Sequence, residues 1–205
     1  FYLSSQLDAA TLTAYREERL PSFEKEHGVR FTYTDLLIKC LGITLKDHPL
    51  LNAEWADGKI KLIRDINIGM AVDTEQGLTV PVIHGVDSLS LADTARRRKE
   101  LVDRAQAGRL TLEDFASGTF TLTNLGMFDV DLPQAIINPP QAAILATGGI
   151  KERAVAWQGD VVVRPTMYVS LSVDHRVADG VAAARFLQDF HTLLQDADRL
   201  ASEAG

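Results

Sequence analysis

The chain has 205 residues, 46% of them hydrophobic, with 28 acidic against 21 basic side chains and a formal charge of −7. The acidic surplus argues against broad nucleic-acid binding, and the apolar share is enough for a sizeable core. One cysteine, Cys40, excludes an intramolecular disulfide framework, and no apolar run reaches the ~18–20 residues that cross a bilayer.

The chain opens on Phe1-Tyr2-Leu3, without Met, as if a strand were already under way. A piece of a longer chain is expected, with any targeting signal or further domain outside it. Phe1 to Leu7 reads as a strand. Asp8 is a plausible N-cap for a helix from Ala9 to Leu20, ended or bent at Pro21. Thr34 or Asp35 can cap a second helix through Leu36, Leu37, Cys40, Leu41 and Leu45, stopping before Pro49. From Lys59 onward, Ile60–Ile63, Ile66–Val72 and Leu78–Ile83 are short β-rich runs punctuated by Asp-Gly and Gln-Gly. Ser90 opens a charged helix to about Ala107, followed by Gly108. A turn over Thr111–Ala116 leads into a strand, Gly118–Thr123. Ala142–Thr147 follows Pro139-Pro140 as a buried strand. Ala154–Trp157 and Val161–Val163 flank Gln158-Gly159-Asp160 as a hairpin, and Met167–Val173 is a further strand. Ala183, Phe186, Leu187, Phe190 and Leu194 line one side of a helix from Val181 to about Leu194. Clustered strands with helices at the start, middle and end predict an α/β two-layer sandwich with a mixed central sheet, one domain over residues 1–205.

The segment with most chemistry is Ser172-Val173-Asp174-His175-Arg176-Val177-Ala178-Asp179-Gly180, an apolar strand running into a charged turn before a helix. Strand ends are where α/β proteins place reactive groups. A histidine titrates near neutral pH and can act as a base. Asp179 can orient His175 or buttress the turn. The alternative is a loop histidine in a surface ion pair with Asp174 or Asp179. In the second segment, Thr119, Thr121 and Thr123 share one face of a strand, where a hydroxyl can donate to a developing oxyanion. The alternative there is simple β-propensity.

Rival chemistries lack their signatures. There is no Gly-x-Ser-x-Gly elbow, and Cys40 sits inside an apolar helix pattern. Histidines 27, 48, 84 and 191 have no metal-ligand spacing with Cys40 or each other, and no phosphate-binding glycine loop occurs. Arg96-Arg97-Arg98-Lys99 reads as a solvated helix face, with an anionic partner as the alternative.

Asp174-His175-Arg176-Val177-Ala178-Asp179-Gly180 resembles the His-x-x-x-Asp-Gly active-site motif of the dihydrolipoamide acyltransferases, the cores of 2-oxo acid dehydrogenase complexes, which share their fold with chloramphenicol acetyltransferase. Gly118-Thr119-Phe120-Thr121-Leu122-Thr123-Asn124-Leu125-Gly126 is similar to that family's oxyanion-stabilising strand, and Ala135-Ile136-Ile137-Asn138-Pro139-Pro140-Gln141 to the segment after it. Asp35-Leu36-Leu37-Ile38-Lys39, Asp47-His48-Pro49-Leu50-Leu51-Asn52 and Val72 to Ile83 also match, in the family's order. The sequence departs from the family at Asp129, where Gly is usual, and neither the family's long helix before the first strand nor its apolar C-terminal anchor is expected within residues 1–205.

The resemblance implies an acyltransferase that moves an acyl group directly between a dihydrolipoyl thiol and coenzyme A, both substrates, with lipoate on a separate N-terminal domain, alongside a subunit-binding domain. It implies catalytic His175, Asp179 and Thr123, with Asp179 holding the loop, and no metal. It implies a homotrimer, or a larger cage, sharing each site between neighbours, and decarboxylase and dihydrolipoamide dehydrogenase partners. No nucleic acid or membrane partner is expected, and the setting is cytoplasmic, or the mitochondrial matrix in a eukaryote. The wording of Gly126-Met127-Phe128 and Ala135-Ile136-Ile137-Asn138-Pro139-Pro140-Gln141 favours acetyl over branched-chain acyl or succinyl groups. A chloramphenicol acetyltransferase-like enzyme acting on a small alcohol and a non-catalytic scaffold are the alternatives.

Overall fold

A computed structural model describes the backbone of residues 1–204 and the side chains of residues 1–202. Its longest strand is β11 (Asp160–Val173), flanked on one edge by β1 (Tyr2–Asp8) and on the other by β9 (Ala143–Thr147) and β10 (Lys151–Trp157). Beyond β9 lie β8 (Phe120–Asn124), β4 (Ile68–Met70) and β7 (Val82–Ile83). The order is β1-β11-β9-β8-β4-β7. The β9–β8 and β8–β4 pairs are parallel and the others antiparallel, which makes the sheet mixed as expected. Two small hairpins stand apart, β2 (Ala53–Ala56) with β3 (Lys59–Leu62), and β5 (Val72–Thr74) with β6 (Gly77–Thr79).

Side chains alternate across a strand, so register assigns each to a face. Leu171 pairs Leu145, which pairs Leu122, and Val173 pairs Ala143. These residues, with Phe120 and Ile68, are buried in one continuous core. Helices cover that face: α1 (Ala10–His27), α2 (Tyr33–Leu45) and α4 (Gly180–Gln195), with α3 (Leu91–Gln106) against α2. Phe186, Phe190 and Leu194 of α4 are fully buried, as the helical spacing required. The opposite face carries Ser4, Ser170, Ala146 and Thr123 in one transverse row. It is polar at β1, where Tyr2, Ser4 and Gln6 are exposed.

Several boundaries differ from the sequence reading. Helix α1 runs through Pro21 to His27. Proline removes the bond to the carbonyl four residues back, but Pro21 and Glu17 are both exposed and water can serve that carbonyl. Buried Phe23 ties down the second half, and Gly28, at φ 66°, ends it with its N–H on the Glu24 carbonyl. Asp8 is not the N-cap of α1; Ala9 holds that position, and Asp8 accepts the Ala10 N–H at 2.9 Å. Helix α2 is capped by Thr32, with Asp35 three residues on completing a capping box, rather than by Thr34 or Asp35.

The Ile66–Val72 and Leu78–Ile83 runs are each broken. Strands β5 and β6 leave the main sheet as a hairpin, and Pro81, which has no N–H to donate, separates β6 from β7. Conversely, β11 runs unbroken through Pro165. Its carbonyl accepts from Ala9 on the β1 edge, just beyond the last pair, Asp8 with Thr166, so the missing N–H costs no ladder bond. Strand β2 and helix α5 (Ala197–Ala204) were not anticipated. The C-terminal Ala201–Ser202 belongs to α5, and Gly205 lies outside the described residues.

Candidate active site

His175 sits just past the C-terminal end of β11. Asp174 donates its N–H to Ala142 at 2.8 Å, and its carbonyl accepts from Val177 at 2.9 Å and Ala178 at 3.2 Å, which turns the chain back. Val177 and Ala178 are buried and pin the turn, while His175 stays exposed. Among the described residues its imidazole has no hydrogen-bond partner; it lies against the Phe1 ring, centroids 4.6 Å apart. Neither ion pair considered for it forms. Asp174 is bound to Arg176, whose guanidinium approaches to 2.6 Å and holds the carboxyl below the usual carboxylate range. Asp179 is the N-cap of α4, accepting the Ala182 N–H at 2.8 Å. It therefore fixes where the helix begins after the turn and does not orient the imidazole.

The three threonines before and along β8 point to one face but have different fates. Thr119 Oγ1 donates to the Asn67 carbonyl at 3.2 Å and accepts the Asn67 N–H at 3.0 Å. Thr121 Oγ1 donates to Gln141 at 2.6 Å. Thr123 is half-buried, and its hydroxyl has no partner among the described residues. Spacing left the three equivalent. Internal hydrogen bonding leaves only the Thr123 hydroxyl unused.

His175 and Thr123 do not meet within one chain. Thr123 pairs Ala146, which pairs Ser170, two strand spacings or about 10 Å across the sheet. From Ser170, β11 runs on to Val173 before reaching His175, about 10 Å along the strand in the direction opposite to β8's C-terminal end. The imidazole and the hydroxyl are thus separated both across and along the sheet.

The loop after β8 explains the Asp129 departure. Asp129 holds a left-handed φ of 58°, a conformation natural to glycine, and its carboxylate meets Lys151 Nζ at 2.5 Å. The basic run on α3 is mostly engaged: Arg96 with Asp93 at 2.7 Å, Lys99 with Asp103 at 2.6 Å, and Arg98 with fully buried Asp35 at 2.6 Å. Arg98 is thus no solvated residue; it ties α3 to α2. Cys40 is buried in α2. Among the described residues no group of three or more His, Cys, Asp or Glu is placed to hold a metal, and no helix is long and apolar enough to cross a membrane.

The reading of the sequence missed the groups around the imidazole: Phe1, Trp55 and the Asp174–Arg176 pair. The available signal was an Asp and an Arg flanking the histidine; the aromatic contacts are long-range and left none.

A model of the family described as 2-oxoacid dehydrogenases acyltransferase (catalytic domain) matches residues 1–202. The succinyltransferase component of the 2-oxoglutarate dehydrogenase complex of Haemophilus influenzae is 39% identical over 199 residues, 97% of this chain and 49% of that protein. The acetyltransferase component of the pyruvate dehydrogenase complex of Rickettsia felis is 34% identical over 195 residues, 95% of this chain and 47% of that protein. The chain spans about half the length of the curated relatives it matches. A probable dihydrolipoamide acetyltransferase from Listeria monocytogenes superposes with a TM-score of 0.92 at 37% identity, covering 96% of this chain and 84% of that one. The cubic core of a pyruvate dehydrogenase multienzyme complex gives 0.92 at 33%, covering 98% and 83%. Chloramphenicol acetyltransferase, with a TM-score of 0.61 at 13% identity over 95% of this chain and 88% of that one, shares the fold alone. The chain belongs to the 2-oxoacid dehydrogenase acyltransferase catalytic-domain family.

Proposed function

We propose that this chain transfers an acyl group between a dihydrolipoyl thiol and coenzyme A, as a core of a 2-oxo acid dehydrogenase complex. The observation that carries the reading is a pair of unspent groups: an exposed imidazole in the His-x-x-x-Asp-Gly turn and the one free hydroxyl of the threonine strand. A scaffold that had lost its chemistry has no reason to keep either one unused.

A free thiol has a pKa near 8.5, so little of coenzyme A is thiolate at neutral pH. His175 takes the thiol proton as the sulfur attacks the acyl-lipoyl thioester carbon. The carbonyl oxygen becomes an oxyanion and accepts a hydrogen bond from Thr123. Collapse breaks the bond to the lipoyl sulfur, which leaves with the proton held by His175. No acyl-enzyme forms. Because one chain holds the two groups apart, two strands across and several residues along the sheet, His175 of one copy works with Thr123 of the next, in a cyclic assembly. The family resemblance makes that assembly a trimer, and the likeness to a cubic core supports building trimers into a cage.

Succinyl replaces acetyl as the first choice of acyl group. The curated relatives at 39% and 40% identity are named succinyltransferases, the curated acetyltransferase of Rickettsia felis stands at 34%, and the acetyltransferase structure from Listeria monocytogenes stands between them at 37%. Acyl exchange between dihydrolipoamide and acetyl-, isobutyryl- or succinyl-coenzyme A tests both points. The expected result is succinyl first, with His175→Ala lowering kcat by about 10²–10⁴ while fold and assembly survive. Near-normal turnover by assembled His175→Ala protein refutes the base. The bacterial relatives support a cytoplasmic setting, with decarboxylase and dihydrolipoamide dehydrogenase components as partners.

A further inference from the structure

A general base must be held at one angle, and among the described residues no carboxylate does this for His175. The two carboxylates nearest in sequence are engaged elsewhere, Asp179 by the N-terminus of α4 and Asp174 by Arg176. Asp174 Oδ1 accepts the Arg176 backbone N–H and Nε–H, each at 3.0 Å, and Oδ2 accepts from Nη2 at 2.6 Å. The residues on either side of His175 are therefore joined to each other around it. The Arg176 guanidinium also lies over the Trp55 ring, 5.2 Å from its centroid. Trp55 in turn packs on buried Ala53, Ala142 and Val177. The ring of Phe1 meets the imidazole at a tilt of 52°. Phe1 cannot drift, because its nitrogen donates to the Val173 carbonyl at 3.1 Å and its carbonyl accepts the Val173 N–H at 3.0 Å.

We propose that a clasp of Asp174, Arg176 and Trp55, closed around His175, together with the Phe1 ring, sets the angle of the catalytic imidazole. The inference rests on the acyl-transfer reading above and makes all four positioning residues. The clasp constrains the dihedrals on both sides of His175 through a forked guanidinium–carboxylate pair, whose geometry a lysine cannot reproduce. The Arg176 side chain is 61% exposed, so the pair adds little to global stability. Function and stability should therefore separate.

The test uses the assembled protein with coenzyme A and a dihydrolipoyl substrate. Arg176→Gln, Asp174→Asn and Phe1→Leu should each lower kcat about 10-fold, because misplacement of a reacting group slows the chemical step. Both KM values and the thermal midpoint should barely move. Arg176→Lys should be as slow as Arg176→Gln, and Phe1→Tyr should recover most of the loss. The Asp174→Asn/Arg176→Gln double variant should be no slower than either single one, as one clasp is broken only once. Unchanged kcat, effects confined to KM, or additive losses overturn the positioning role. His175→Ala serves as reference: if it is inactive while the clasp variants are normal, only the positioning falls, and if it is fully active the base reading falls as well. Should Asp174→Asn fail to assemble, Arg176→Gln and Phe1→Leu decide.

Discussion

The Thr123 hydroxyl shows how a single hydrogen bond can separate residues that sequence treats alike. A residue whose hydroxyl already serves the Asn67 backbone or Gln141 cannot turn to an oxyanion without leaving a buried group unpaired. One oxyanion donor contributes about 2.7–4 kcal/mol to the transition state, or about 10²–10³ in rate. Thr123→Ala should lower kcat by that factor with KM nearly constant, and Thr123→Ser should keep most activity. Steady-state parameters of both variants decide it. If Ser is as damaging as Ala, Thr123 is a packing residue.

At the scale of elements, α4 carries two separable features. Its N-cap is Asp179, so Asp179→Ala should cost about 0.5–2 kcal/mol in denaturant unfolding. Asp179→Asn should retain the cap and most of the activity, because the carboxylate charge has no bond to His175. A large loss of kcat in a fully stable Asn variant would show that the charge matters. Further along α4, His191 is held below the ordinary imidazole value by burial, and its Nε2 is buried without a partner. The folded value lies below the unfolded one, so the unfolded chain takes up the proton first. The stability tied to neutral His191 is complete above about pH 6.5 and is lost as pH falls through the folded value. His191→Phe should flatten the fall in unfolding free energy between pH 7 and the carboxylate range. An unchanged slope removes this group from the account. At lower pH only Asp114 adds a loss of note, since the Arg176 partner of Asp174 is exposed and their pair adds little, although both carboxyls sit below their usual range. Arg176 holds Asp174 there; for Asp114, burial pushes upward, but the Thr111 backbone and hydroxyl donors and Arg104 outweigh it.

For the whole molecule, the proposed shared site, with His175 separated from Thr123 in one chain, makes activity a property of the assembly. Inactive His175→Ala chains mixed with inactive Thr123→Ala chains, unfolded and reassembled together, should regain activity. In random mixed rings, about a quarter of the interfaces join an intact histidine to an intact threonine. Recovery toward that fraction is the expected outcome. No recovery, in rings shown to be mixed, would place the whole site within one chain.

What the sequence by itself determined is local or periodic. Alternate threonines marked β8, and helical spacing marked the buried side of α4, because each pattern is set by neighbours a few residues away. The His-x-x-x-Asp-Gly turn was legible for the same reason, since it lies in one short stretch. Helix ends were less so. Thr32 outcompeted Thr34 and Asp35 for the α2 cap by pairing with Asp35 in a reciprocal box. Pro21 failed to stop α1 because Glu17, whose carbonyl loses its donor, is an exposed residue within reach of water, and Phe23 is anchored in the core. Tertiary structure alone decided which threonine is free, since that turns on Asn67 and Gln141, about 50 and 20 residues from their partners. It alone brought Phe1 to His175, through pairing of β1 with β11 across most of the chain's length. It alone set the imidazole and the hydroxyl apart on the sheet, because strand order and direction follow from long-range pairing that no local pattern encodes.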